Sequence, residues 1–510
     1  MALPNITFIK GQGGLGRPLE NRDHVSGMVF YCDNADLPSG FSTTDRVKRV
    51  FSVEDAEDLG ILGDYSDATP ATATYLVTNA GADGDTIKVE VNDINPWTGE
   101  PRTITLCEFT RTSAMSTPAL LAAYLSYYIK LGNQDHGYWA SVNTATVTIR
   151  APYSLGTLLN TGTPYTVSIT GTIAGTLTQN VQAGVPSVLK PFHYQIEEFF
   201  RMNPKGELWV GFFAVPNAYT FTEVTTMQET AEGEIRQIGV FKQEAWDEGD
   251  VSVLNAICEA NDNQKRNLSA VLTADFTAEA DMTQLLNLAT LTDNKVSVVI
   301  TQDGGAIGYS IFVTSEISCP NSGALLGTIR RAKVSDSIAW VREFNVSNGR
   351  ECEKIIYANG DPLGNENELT AINAQRYIFL RKHIGISGSY WNESNTAIAT
   401  TSDYAYIENN RTIDKAIRLL NAAYLPELNG PIKLNADGTI ADVDVARLES
   451  VGNTALDQMT RDDELSAKSV AIDPNQDILA TSELTIAVTL VIKGVARYIV
   501  IPIGFKPSIA

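Results

Sequence analysis

The chain closes on ELTIAVTLVIKGVARYIVIPIGF, residues 483–505: two strand-forming runs joined at Lys493-Gly494, with five residues beyond. In the first run Leu484, Ile486, Val488, Leu490 and Ile492 share one face and Thr485 and Thr489 lie on the other, the alternation of a half-buried strand. The second run, 495–503, is apolar on both faces, yet it lies where chains usually fray. A flat apolar strand without a neighbour is an aggregation hazard, so this one requires a pairing partner. Near the other end, Ile6, Thr7, Phe8 and Ile9 form a second short strand signal, followed by the glycine-rich 11–16. Two adhesive ends on one chain point to subunits that link by donating strands to one another.

At 510 residues the chain exceeds one ordinary domain. Thirty-eight basic against sixty acidic residues give a net charge of −22, which argues against wrapping nucleic acid, a task that needs a positive footprint. Met1-Ala2-Leu3-Pro4 lacks the basic and apolar regions of a signal peptide, and no stretch approaches the roughly 18 unbroken apolar residues of a membrane helix. The five cysteines (Cys32, Cys107, Cys258, Cys319, Cys352) are scattered without CxxC spacing and read as free thiols of a reducing cytoplasm.

Composition divides the chain. Residues 69–185 are rich in Thr, Ala and Gly and read as strands at 73–78, 85–91, 102–109, 139–149 and 165–172. One helix interrupts them, with Thr117 as N-cap, Pro118 at its first position and Gly132 past its end. This reads as a β-rich insertion. From Pro191 onward, helices at 193–202, 221–231, 250–261 and 281–291 alternate with strands at 207–215, 235–241, 268–276 and 296–302. That alternation implies an α/β fold with a largely parallel, three-layer sheet core. Beyond Gly304 the order becomes mixed α+β: helices at 322–331, 366–383, 410–425 and 441–459, strands at 353–357 and 385–390, then the terminal runs. The expected division is an N-terminal arm (1–20), a core (21–68 and 186–345), the inserted outer domain (69–185), a C-terminal domain (346–493) and a C-terminal arm (494–510).

Catalytic signatures are sparse. Gly11-Gln12-Gly13-Gly14-Leu15-Gly16 meets the bare GxGxxG spacing, but Arg17-Pro18-Leu19-Glu20 follows instead of a helix able to hold a pyrophosphate. The segment reads better as a hinge. His24, His136, His193 and His383 have no metal-ligand spacing and read as solvated or core residues. The cluster Asp247, Glu248, Asp250 reads as an acidic helix start, and Asp462, Asp463, Glu464 as a solvated loop. No GxSxG elbow or P-loop occurs, and Trp97, Trp209, Trp340 and Trp391 do not interleave with cations as a nucleic-acid platform does. The expectation is a non-enzyme with no catalytic residue, metal or cofactor. One helix carries an uneven charge pattern: Arg411, Lys415 and Arg418 recur at i, i+4, i+7 beside the apolar Ile413, Ile417, Leu420 and Tyr424. Such a stripe is either the solvated side of an amphipathic helix or a docking surface for an acidic partner.

The segment DYAYIENNRTIDKAIR (403–418) resembles contractile tail sheath proteins of phages and related bacterial injection systems, in which a similar stretch opens a long helix of the C-terminal domain. SDSIAWV (335–341), PFHYQI (191–196) with LWVG (208–211), and, in the insertion, DGDTI (83–87) with STPA (116–119) are similar to segments of the same family in the same order. The resemblance implies a homo-oligomer, a helical or stacked-ring sheath around an inner tube protein. Baseplate and tail terminator proteins would be further partners, with no nucleic acid and no direct membrane insertion. It places the protein in a virion tail or contractile injection particle assembled in the bacterial cytoplasm. The subunit-linking residues would be Ile6, Thr7, Phe8 and Ile9 at one end and Tyr498, Ile499, Val500, Ile501 and Ile503 at the other. Arg411, Lys415 and Arg418 would face the tube. The competing readings are a nucleotide-binding α/β enzyme with a β-rich accessory domain, and another virion or baseplate component.

Overall fold

The computed structural model describes residues 23–95, 100–347, 352 and 354–505. The strand signal at Ile6, Thr7, Phe8 and Ile9, the glycine-rich 11–16 and Trp97 lie outside the described residues. The largest sheet has six strands: β1 (Ser26–Tyr31), β2 (Val47–Val50), β3 (Leu208–Phe213), β4 (Gln237–Ala245), β5 (Ser269–Asp275) and β6 (Val296–Val298), in the order β6-β5-β4-β1-β3-β2. β1 lies between β3 and β4 in parallel register, Ser26 opposite both Leu208 and Gln237. β4, β5 and β6 continue in parallel, while β2 closes the far edge antiparallel to β3.

Alternate residues of β1 go to different cores. Val29 and Tyr31 pack with Val224 and Met227 of α2 (Thr222–Thr230) and Val251 and Leu254 of α3 (Gly249–Asn263). Met28 and Phe30 pack with Phe192 and Ile196 of α1 (Leu189–Met202) and Leu325 and Leu326 of α4 (Ser322–Arg331). A strand covered on both sides loses its polar face, and that explains SGMVFY. With no alternation to read, this central strand was invisible in the sequence pattern. The helix Ile307–Ser315 was missed too.

Four expected elements differ, the strand expected over 296–302 being two short ones, Val296–Val298 and Thr301–Asp303, in different sheets. The helix expected over 366–383 ends at Ala374, because Arg376 adopts a left-handed backbone (φ 75°) and the buried Tyr377–Leu380 stretch turns into a strand, Leu380–His383. The helix expected over 281–291 is two 3-10 turns, Met282–Gln284 and Leu288–Thr290; the Asp281 and Asn287 side chains each accept a backbone N–H two residues on, competing with helix propagation. The strand expected over 139–149 is a hairpin, Trp139–Asn143 and Thr146–Arg150, turning at Thr144 (φ 53°).

Residues 71–173 supply a separate hydrophobic cluster, in which Leu121, Leu125 and Ile129 of the helix Pro118–Leu131 are fully buried against the strands. The helix starts as its sequence dictates: Thr117 accepts the Leu120 N–H, and proline occupies the first turn. The chain leaves and returns through one paired stem, Thr69 and Val185 exchanging backbone hydrogen bonds of 2.9 and 2.8 Å.

The C-terminal part contains α5 (Ile407–Tyr424), α6 (Asp442–Arg461) and an antiparallel pair, β7 (Leu465–Ala471) with β8 (Ala487–Ile492). These elements share a small core of Ala416, Leu456, Met459, Leu465 and Val470. β8 falls within the first terminal run; the second run forms no strand in this protomer.

Candidate assembly site around the C-terminal helix

The structure corrects the reading of the basic stripe. Glu408, Arg411, Lys415 and Arg418 do share a face of α5, but that face is turned inward: Arg411 and Lys415 are buried, and Arg418 is mostly covered. Lys415 Nζ lies 2.8 Å from Asp23 Oδ2 and 2.9 Å from Glu464 Oε1, and Arg418 Nη2 donates to Asp23 Oδ1 at 2.6 Å. Arg411 donates to the carbonyls of Ala332 and Lys333 just past α4, at 3.2 and 3.1 Å. Oxygens left free beyond a helix C-terminus are a natural place for a cation. The three cations are therefore engaged within the subunit and do not form an exposed stripe. The acidic cluster is corrected as well: Glu464 is buried on Lys415, whereas Asp463 is exposed and holds Lys493. Asp250 stands in the first turn of α3, as the acidic helix start implied, and is buried there against Lys242 at 2.6 Å.

Electrostatics follow from this burial. Burial pushes the Asp23 carboxyl up, but Lys415 and Arg418 outweigh it and hold it below its ordinary value. Glu464 is raised, burial prevailing over Lys415. Arg411 is pulled down by burial to about 10 and stays charged at neutral pH.

His24 Nδ1 lies 3.2 Å from the Arg411 guanidinium; because arginine only donates, this nitrogen accepts and the ring hydrogen sits on Nε2. Burial, then the Arg411 charge, lowers the His24 pKa from 6.5 to about 3, with Asp23 pulling the other way. The unfolded chain takes up a proton near pH 6.5 that the folded chain refuses until about 3. Stability from this site is thus complete above pH 6.5 and declines as pH falls through that window, by at most about 1.4 kcal/mol per pH unit. His24→Asn keeps an acceptor without the titration, so its urea midpoint should drop less than wild type between pH 6.5 and 4.5; equal drops would contradict this account.

The terminal segment is fastened at its base and free beyond it. Lys493 Nζ lies 3.0 Å from Asp463 and 3.6 Å from Asp336. Arg497 donates to Glu393 at 2.7 Å and to Glu408 at 2.6 Å, and its guanidinium lies 3.4 Å from the Tyr406 ring centroid. The second oxygen of Glu408 accepts from Ser394 Oγ at 2.5 Å. Beyond this anchor Tyr498, Ile499, Val500, Ile501, Ile503 and Phe505 are 88, 77, 86, 72, 89 and 106% exposed. Sequence reasoning missed the anchor, although one signal existed: Arg497 is the lone charge between Val495 and Phe505. The partners Asp23 and Glu393 carried no signal, and Glu464 was legible only as one of an acidic cluster.

Among the described residues no group of three or more His, Cys, Asp or Glu is placed to hold a metal ion, and no helix is long and apolar enough to cross a membrane.

The chain matches the model of the DUF2586 N-terminal domain over residues 3–395 and that of the DUF2586 C-terminal domain over residues 403–509. It belongs to the DUF2586 family. No curated protein matches it. Solved structures similar to it are contractile sheath proteins. The helical sheath of the anti-feeding prophage in its contracted state is 15% identical, covering 64% of this chain and 84% of the other at a TM-score of 0.43. The sheath complex of the extracellular contractile injection system PVC, also contracted, is 13% identical over 62% and 81% at 0.43. The sheath tail protein of Desulfitobacterium hafniense is 12% identical over 96% and 100% at 0.37. Likeness of this degree leaves function to be argued from the site.

Proposed function

We propose that the chain is the structural subunit of a contractile tail sheath, which polymerises around an inner tube through strand-donating terminal segments and contracts to drive that tube through a target envelope. One observation carries the reading: residues 498–505 leave the fold at Arg497 as an apolar run exposed on both faces. A soluble subunit of charge −22 that keeps such a run in water has a use for it. The acceptor would be the pair β7 and β8 of a neighbouring copy, a two-stranded sheet with both outer edges open among the described residues. About eight ladder bonds at roughly 0.5–1.5 kcal/mol net each would hold one donated strand, and repetition along a lattice multiplies the effect.

In this reading 1–20 and 494–510 are the arms, with Ile6, Thr7, Phe8 and Ile9 the donor at the first end. The three-layer α/β core (21–68 and 186–345) and the C-terminal domain (346–493) are the bodies that move on contraction, and 69–185 is an outer domain reached through the Thr69–Val185 stem. The inner tube, baseplate and tail terminator are the partners, in a virion tail or injection particle assembled in the bacterial cytoplasm. The work of contraction comes from repacking between subunits, without a bound cofactor. Electron microscopy of the purified protein tests this. Long open tubes are expected; closed rings alone would make it a baseplate component, and single particles at high concentration would overturn the proposal.

A further inference from the structure

The buried face of α5 does more than satisfy its own charges. Asp23 and His24, the first of the described residues, are held by Lys415, Arg418 and Arg411. Arg497, where the C-terminal segment leaves it, is held by Glu408 on the same face. Helical rise places Glu408 and Arg418 about 15 Å apart along the axis. The helix is also bolted to the large sheet: Asp414 lies 2.8 Å from Lys295, Asn410 accepts from Asn294 at 2.7 Å, and Lys295 is the residue before β6. Lys415, through Glu464, reaches the residue before β7.

We propose that α5 is a clamp that holds the roots of both terminal segments at a fixed separation, so that load arriving on one arm passes to the other through this helix. The inference rests on the strand-donation reading for its purpose, but the clamp itself is a property of the single subunit. It also moves the pivot of the C-terminal arm. Lys493-Gly494 lies between two anchors, Lys493 and Arg497, so the free length begins at Tyr498 and not at the glycine.

A clamp predicts that disturbing one root loosens the other, whereas separate ion pairs this far apart and without shared partners act independently. Trypsin reads the C-terminal root directly, because it must capture the Arg497 side chain that Glu393 and Glu408 occupy. Freshly purified, dilute, unassembled full-length subunits are used, and cleavage after Arg497 is followed by mass spectrometry. Glu408→Gln, which frees Arg497 at its own root, should raise the cleavage rate at least tenfold. Asp23→Asn, at the opposite root, should raise it at least threefold. Ala446→Gly, which weakens α6 at an exposed position, should leave it at the wild-type rate. If Asp23→Asn does not fold by circular dichroism, Arg418→Gln takes its place, since it leaves the Lys415 pair to Asp23 intact. A wild-type rate in the distal-root variant overturns the clamp, as does an unchanged rate in Glu408→Gln or a raised one in Ala446→Gly. The readout involves no assembly, so failure of the protein to form tubes would sink the sheath proposal and leave this result standing.

Discussion

A chain ended after Arg497 is expected to fold like the wild type and to form no tubes. The apolar side chains of residues 498–505 belong to none of the described hydrophobic clusters, so deleting them removes no core. Arg497 stays with its salt bridges to Glu393 and Glu408, which keeps the carboxylates paired. The expected thermal midpoint is therefore within about one degree of wild type, surface positions away from such features changing stability by no more than about 0.5 kcal/mol. Assembly should suffer far more. Losing about eight ladder bonds forfeits roughly 4–12 kcal/mol per junction, nearly a thousandfold in affinity at the lower end. Size-exclusion chromatography should give a monomer, more soluble than the parent, and electron micrographs should show no polymers. Tubes like those of the wild type from this truncation would refute strand donation by the C-terminal segment.

Lys415→Met has the largest expected effect on the subunit itself. The substitution removes the cation between Asp23 and Glu464, both buried, and leaves two carboxylates facing each other with Arg418 as the remaining partner of Asp23. Breaking a buried pair in this way costs about 3–5 kcal/mol, because the stranded charge has lost its hydration without compensation. The urea midpoint should fall accordingly. Adding Asp23→Asn and Glu464→Gln to the same chain should restore most of the loss, since neutral amides tolerate the site better than unpaired carboxylates do. A Lys415→Met protein as stable as the parent would show that the network contributes nothing net to folding.

Periodicity made some elements plain before any coordinates. The helix Ser322–Arg331 has the bounds its pattern announced, and Thr117 with Pro118 announced the start of the insertion helix. The parallel strands β3, β4 and β5 were legible as short apolar runs between helical ones. Other elements were decided elsewhere. Arg376 takes a left-handed backbone where its guanidinium, buried, donates to the Thr396 carbonyl at 3.3 Å and stacks near Tyr406, contacts that no local pattern contains. β1 is central because two layers cover it, and its own six residues do not encode that.

The sequence by itself determined that Arg411, Lys415 and Arg418 share one side of a helix, because the spacing of side chains along α5 is a local property of the backbone. It also determined that the last run is apolar on both faces, because Tyr498, Ile499, Val500 and Ile501 stand in succession whatever the fold, and water is a poor neighbour for them. Only the tertiary structure decided which way the cationic side points. Asp23 lies 395 residues from Arg418 along the chain, and an ion pair over that span is made by the packing of whole domains. Burial and pairing are relations between distant segments, and a local period records just one member of each.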